Sequence, residues 1–167
     1  MEATAPPRTT PRPTALRGLR FLRRPAKAAA LEANTSFELV LAPTTSLRAQ
    51  FEAFEKSVDR FDRATTAVQK SIASVEQHAG EFLAAYSKQR EEIKNPDLRA
   101  AMLMRREAIE RQITDMKVEL SAMLAAADSL SRELRDLRLF FAANLNEQAV
   151  TGAQVVGEKL KTSVAGL

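Results

Sequence analysis

The sequence predicts an all-α protein organised around one long antiparallel two-helix coiled-coil hairpin. Two stripes of mainly apolar residues predict it, because within each stripe the residues follow one another by alternating steps of four and three. The first stripe is Leu47, Phe51, Phe54, Val58, Phe61, Thr65, Val68, Ile72, Val75, Ala79, Phe82, Tyr86, Gln89 and Ile93. The second is Met102, Arg106, Ile109, Ile113, Met116, Leu120, Met123, Ala127, Leu130, Leu134, Leu137 and Phe141. Asn95-Pro96 lies between the stripes and provides the reversal.

Composition supports the same fold class. Helix-forming residues dominate the 167-residue chain, which contains 5 Gly, no Trp and no Cys. β-branched residues mostly occur singly at stripe positions, which is typical of helices rather than strands. The absence of Cys excludes disulfides and thiolate metal sites. No apolar run approaches the ~20 residues of a membrane span, so we expect no transmembrane helix.

Residues 1–43 are expected to form a disordered basic tail that ends in an extended segment. Residues 1–30 hold seven basic side chains and one acidic side chain, and four prolines fall within residues 6–13. Leucines at every third position accompany the basic residues Arg17, Arg20, Arg23 and Arg24. This pattern is typical of a mitochondrial or plastid presequence. Glu2, the early prolines and Pro25, which should end any helix, favour instead the solvated tail of a cytoplasmic protein.

The hairpin itself is predicted to occupy residues 44–148. Residues 37–41 read as an extended segment because Phe-Glu-Leu-Val-Leu has mild strand character, and Ser46 then supplies an N-cap. Helix one is predicted at about 46–94. Asn95 caps helix two, predicted at about 96–148, because Pro96 fits the first helical position. Residues 149–167 remain as a short, weakly amphipathic helical tail.

The register of the hairpin follows from the position of the turn. With a turn centred near Lys94, facing residues have numbers that sum to about 188, which pairs Phe61 with Ala127 and Leu47 with Phe141. A shift by one heptad, to a sum of 195, would need a longer turn. A single long helix kinked at Pro96 is the alternative to any hairpin.

Several apolar residues lie beside the stripes, where a two-helix seam cannot bury them. These predicted partner-binding residues are Leu83, Leu103, Leu124, Leu139, Phe140 and Leu145. We expect part of this apolar surface to be buried by residues 37–41 and by four C-terminal residues, Val155, Val156, Leu160 and Val164. We expect a protein partner or a second copy of the chain to bury the remaining apolar surface.

No catalytic, cofactor-binding or metal-binding residue is predicted, and we do not expect an enzyme. His78 is the only histidine, so neither a His-rich metal site nor a nucleophile-His pair can form. The five glycines are isolated, so the chain has no phosphate-binding loop. The methionines at 102, 104, 116 and 123 are interpreted as core-filling residues.

These observations predict a non-catalytic structural or protein-interaction subunit that acts as a scaffold or spacer in a larger assembly. Two alternatives depend on the basic tail. It can bind an anionic membrane or granule surface as a short amphipathic helix. It can also neutralise phosphates of a nucleic acid, but a nucleic-acid partner is disfavoured because no base-reading module follows the tail.

Overall fold

The computed structural model describes the backbone of residues 15–167 and the side chains of residues 23–167, and this part of the chain contains four α-helices and no strand. They are α1 (Ala15–Leu41), α2 (Leu47–Glu92), α3 (Pro96–Ala143) and α4 (Glu147–Gly166). The predicted all-α class is therefore confirmed.

Side-chain caps explain where three of these helices begin. The Ser46 hydroxyl accepts a hydrogen bond from the Ala49 backbone N–H, and Asn95 Oδ1 accepts one from the Asp97 N–H at 2.9 Å, as predicted. A third cap was not predicted: Asn146 Oδ1 accepts from Ala149 N–H at 2.9 Å. This cap separates α4 from α3, so α3 ends at Ala143 and not at residue 148.

Helix α1 corrects the expectations for the N-terminal region. The extended segment predicted at residues 37–41 is wrong, and so is disorder over residues 15–41, because one helix runs through Pro25 to Leu41. Five residues after Pro25 follow steps of four and three, and each is at most 1% exposed: Ala26, Ala30, Ala33, Phe37 and Val40. Their burial outweighs the hydrogen bond that Pro25 cannot donate. Residues 1–14 lie outside the described residues.

The four helices form an up-down-up-down bundle at one end of the molecule. In cyclic order α1 packs on α2, α2 on α3, α3 on α4 and α4 on α1, while α2 and α4 do not touch within the described residues. The ion pair between Glu32 and Arg60 aligns α1 antiparallel to α2. A hydrogen bond of 3.1 Å between Ser163 and Glu133 aligns α4 antiparallel to α3.

The centre of the bundle is aromatic. The Phe37 ring lies 5.5 Å from the Phe54 ring and 6.1 Å from the Phe141 ring, between ring centroids. Leu160 and Val164 of α4 are at most 3% exposed, so, as expected, C-terminal residues bury apolar surface in the bundle, where α4 packs on α3 and α1. The same expectation is wrong for Val155, which is 77% exposed because it points away from α3 and α1.

Polar contacts between α2 and α3 fix their register. Asp62 accepts a hydrogen bond from Ser131 and an ion-pair contact of 3.0 Å from Arg135, and Glu76 pairs with Lys117 at 3.4 Å. The residue numbers of these pairs sum to 193 or 197. The preferred sum of 188 is therefore wrong, and the contacts agree with the alternative of 195.

The connection between the long helices explains this shift. Ile93 and Asn95 have extended backbones, with ψ of 124° and 123°. A connection of three residues can span about 10 Å. At a sum of about 195, Glu92 at the end of α2 lies opposite Leu103, so the first two turns of α3 extend beyond α2.

Only part of the α2–α3 pair lies in the bundle. The last buried residue of α2 is Ile72 and the first of α3 is Leu120, and no residue between them is buried. We call residues 73–119 the tip and the remaining described residues the base. Helices α1 and α4 span only about 40 Å and 30 Å, against about 70 Å for α2 or α3, so they cannot cover the tip.

Candidate interaction surface

The tip exposes apolar side chains at positions that are buried in the base. Phe54 and Phe61 are 0% exposed, whereas Phe82, which continues the same stripe, is 50% exposed. Its ring contacts only that of Tyr86, at a centroid distance of 5.9 Å, among the aromatic residues described. The difference arises because α2 packs against α1 as well as α3 in the base, and α1 is too short to reach Phe82.

Helix α3 adds further exposed apolar residues to the tip. Leu98 is 56% exposed, Met104 71% and Val118 66%. The interpretation of Met104 as core filler is wrong because its side chain is 71% exposed, whereas Met116 and Met123 do pack against the core. These exposed residues are spread along α3 from Leu98, next to the turn, to Val118, next to the base.

Charges are divided along the length of the tip. Residues 88–106, which we call the distal tip, contain six basic and three acidic side chains. Residues 73–87 and 107–119, the proximal tip, contain six acidic and two basic side chains. Few of these charges are neutralised by neighbours, although Arg106 pairs with Glu110 at 2.7 Å. The distal tip therefore has a net positive charge and the proximal tip a net negative charge.

The six predicted partner-binding residues are not brought together. Leu83 is half-buried and Leu103 is 38% exposed, and both lie in the tip. Leu124 and Leu145 pack against the core of the base, so they serve the fold. The two remaining residues, Leu139 at 66% and Phe140 at 41% exposed, lie on the outer surface of the base.

Phe140 belongs to an open groove between α3 and α4. The groove has a volume of about 360 Å³ and is lined by Glu133, Asp136, Leu137, Phe140, Gly152, Ala153, Val156 and Lys159. Its floor is apolar and its rim carries charges of both signs. Among the described residues, Ser163 donates a hydrogen bond to one rim acid, Glu133.

The described part of the basic segment contributes to the fold. Arg23 donates hydrogen bonds to the backbone oxygens of Leu167 and, at 3.4 Å, Gly166. These oxygens lie at the C-terminal end of α4, where a cation is favoured by the helix dipole. Arg24 is exposed, and the side chains of Arg17 and Arg20 lie outside the described residues.

Ionisable groups in the described residues form ordinary surface contacts. His78 is exposed, and its Nδ1 lies 2.7 Å from the Ser74 carbonyl oxygen. Hydrogen bonding and attraction by Asp62 raise the pKa of Arg135, and the same effects from Glu158 raise the pKa of Lys161. Within the part of the chain described, no three His, Cys, Asp or Glu residues lie close enough to hold a metal. No helix in that part is long and apolar enough to cross a membrane.

Comparison with known proteins places the chain in a family. It belongs to the family described as Protein of unknown function (DUF2959), whose model matches residues 24–167. The matched region contains α2, α3, α4 and most of α1, and it excludes the Arg-rich residues before Arg24. No curated protein and no solved structure matches the chain.

Proposed function

We propose that this protein is a non-catalytic structural or interaction subunit. In this proposal α2 and α3 form a coiled-coil hairpin that acts as a scaffold or spacer, and the tip contacts a partner. One observation carries the proposal: residues 73–119 extend beyond the last buried residues of the base and expose Phe82, Leu98, Leu103, Met104 and Val118.

The shape of the tip suits a spacer. From Ile72 to Glu92, α2 rises by about 30 Å beyond the buried base. Within the tip α2 contains no proline, and α3 has one only at its first position, Pro96. The ion pair of Glu76 with Lys117 shows how the two helices are aligned in the tip. It adds little to the free energy of folding, because exposed ion pairs are weak.

The energetics of exposure favour a bound partner. Complete burial of a Phe, Leu or Met side chain stabilises by roughly 1.5–3 kcal/mol. Phe82, Leu98 and Met104 each keep half or more of their surface in solvent. A partner that covers them gains a large part of this free energy.

A capture experiment with matched variants tests the proposal. Tagged full-length protein, Met104→Lys and Val155→Lys are recovered from the native source, and bound proteins are identified by mass spectrometry. Met104 and Val155 are similarly exposed, at 71% and 77%, but only Met104 lies in the tip. We expect Met104→Lys to lose the bound partner and Val155→Lys to retain it. Recovery of all three as lone monomers with a turnover activity would contradict the proposal.

Membrane-surface association is a second candidate, favoured by the helical start of α1. The backbone of α1 is helical from Ala15, which places Arg17, Arg20 and Arg24 on one continuous helix. Short basic amphipathic helices bind anionic interfaces. Co-sedimentation with anionic vesicles tests this, using Arg17→Ser/Arg20→Ser beside the native chain. Equal binding by the two proteins would remove the candidate.

The basic residues 1–30 also bear on the compartment in which the protein works. A cytoplasmic location is expected, and import into a mitochondrion or plastid through residues 1–30 is the alternative. A fluorescent protein fused behind residues 1–30 distinguishes the two by its location in the cell. An even cytoplasmic signal would contradict targeting by this segment.

A further inference from the structure

We infer that the partner of the tip is a second copy of this chain, packed side by side with its tip in the opposite direction. The two tips then complete a four-helix bundle around a two-fold axis. This inference rests on the proposed function, because it takes the tip to be the interaction surface. It goes further by naming the partner and the geometry.

The base of the molecule shows what completes the α2–α3 pair. There the stripe residues Phe54, Phe61, Leu130 and Leu134 are all 0% exposed, because α1 and α4 add two antiparallel helices with apolar seams. In the tip the stripe residue Phe82 is 50% exposed, and Val75, Ile109, Ile113 and Met116 of the stripes are only half-buried. A second tip supplies two antiparallel helices that carry stripes of the same period, which is what a four-helix bundle requires.

The division of charge selects the direction of packing. Two tips side by side in the same direction would place the positive distal tips together and the negative proximal tips together. In the opposite direction, each distal tip, with six basic against three acidic residues, meets a proximal tip with six acidic against two basic residues. Complementary charges fix orientation and disfavour the wrong one. The antiparallel arrangement is therefore selected.

The tip offers enough surface for a specific dimer. A pair of helices about 30 Å long and about 20 Å wide has a face of about 600 Å². Two such faces bury roughly 1,200 Å² in total, which is at the lower end of the range for specific interfaces. The interface is isologous and closed, so it produces a dimer and no longer assembly.

Measurement of mass with charge-reversed variants tests the inference. Sedimentation equilibrium of the full chain is expected to give a concentration-dependent mass rising to twice 18.4 kDa. Arg99→Glu/Arg105→Glu should raise the dimer dissociation constant at least ~10-fold, because two distal charges then face acids. Adding Glu81→Lys/Glu119→Lys, which reverses two exposed proximal acids, should restore most of the affinity. Circular dichroism confirms that each variant is folded.

Cross-linking tests the position of the two-fold axis. The axis passes near the border of the distal and proximal tip, so the exposed Ala108 lies beside its own copy. In this Cys-free chain, Ala108→Cys should form an interchain disulfide rapidly under mild oxidation. Ala142→Cys, an exposed alanine of the base, is the matched control and should stay reduced, because the two bases lie at opposite ends of the dimer.

The outcomes separate this inference from the proposed function. A monomer at every concentration overturns the inference, and if Met104→Lys still loses a captured partner, the proposed function stands with a different protein at the tip. Cross-linking of Ala142→Cys in preference to Ala108→Cys also overturns it. If the native chain is a monomer that sediments with anionic vesicles and the Met104→Glu chain does not, the tip binds a membrane surface instead.

Discussion

Gly157 of α4 lies against Leu41 of α1, so closely that a β-carbon at Gly157 would be 2.9 Å from Leu41 Cδ1. The same β-carbon would be 3.6 Å from Phe37 Cε1. Small residues along both helices allow this approach. They are Ala26, Ala30 and Ala33 in α1 and Ala149, Ala153 and Gly157 in α4, and all six are buried. In the base, α1 and α4 therefore pack closely at positions with small side chains.

A leucine at Gly157 should loosen this contact. Gly157→Leu is expected to lower the free energy of unfolding by about 1–3 kcal/mol, because overpacking displaces Leu41 and Phe37. Gly152→Leu is the matched control, since nothing lies within 4 Å of a β-carbon there. It should be neutral or raise stability by up to ~1 kcal/mol through helix propensity. Urea unfolding measures both, and equal destabilisation would contradict the close packing.

A charge within the base should be far more damaging than the loss of a charge on the tip. Leu134 is 0% exposed, so Leu134→Asp buries an unpaired carboxylate and should lower stability by more than about 4 kcal/mol. Glu119 is exposed, and Glu119→Ala should change stability by less than about 0.5 kcal/mol. Thermal unfolding ranks the two variants. A reversed ranking would mean that the second stripe is not the core.

Asp62 joins α2 to α3 through two donors, Ser131 and Arg135. Asp62→Ala should lower stability by about 1–2 kcal/mol, because the Ser131 hydroxyl, on a residue only 6% exposed, loses its acceptor. Glu52→Ala removes an ion pair with Arg48 whose side chains are 83% and 55% exposed, and it should change stability by less than about 0.5 kcal/mol. Chemical denaturation of the two variants, compared with the native chain, checks this difference.

The two long helices could be predicted because large apolar residues mark their stripes. Phe54, Phe61, Leu130 and Leu134 are all in the core, as the spacing indicated. The caps at Ser46 and Asn95 could also be predicted, since their side chains bond local backbone N–H groups. Local chemistry was sufficient for these features.

Helix α1 was not predicted because its seam begins with alanines. Ala26, Ala30 and Ala33 follow the same steps of four and three as the long stripes, but alanine is common on both buried and exposed helix faces. Pro25 was given too much weight as a helix terminator. The seam of α4, which contains Ala149, Ala153 and Gly157, was hidden for the same reason.

The register and the exposed tip depend on information that periodicity does not contain. A heptad pattern is unchanged by a shift of seven residues, so only the three-residue connection after Glu92 decides between the two sums. Similarly, Phe82 follows the stripe as regularly as Phe61, yet it is half exposed because α1 is too short to reach it. Leu98 and Met104 lie outside the second stripe, and their exposure was not predicted.

The antiparallel alignment of α2 and α3 is tested most directly by two cysteine pairs in this Cys-free chain. Asp62→Cys/Ser131→Cys replaces two side chains in contact and should form an intrachain disulfide at a rate independent of protein concentration. Asp62→Cys/Ala126→Cys, which a sum of 188 would favour, should not, because Ala126 is displaced by about 7 Å along α3. Closure of the second pair instead, or only interchain products that vanish on dilution, would contradict the structure.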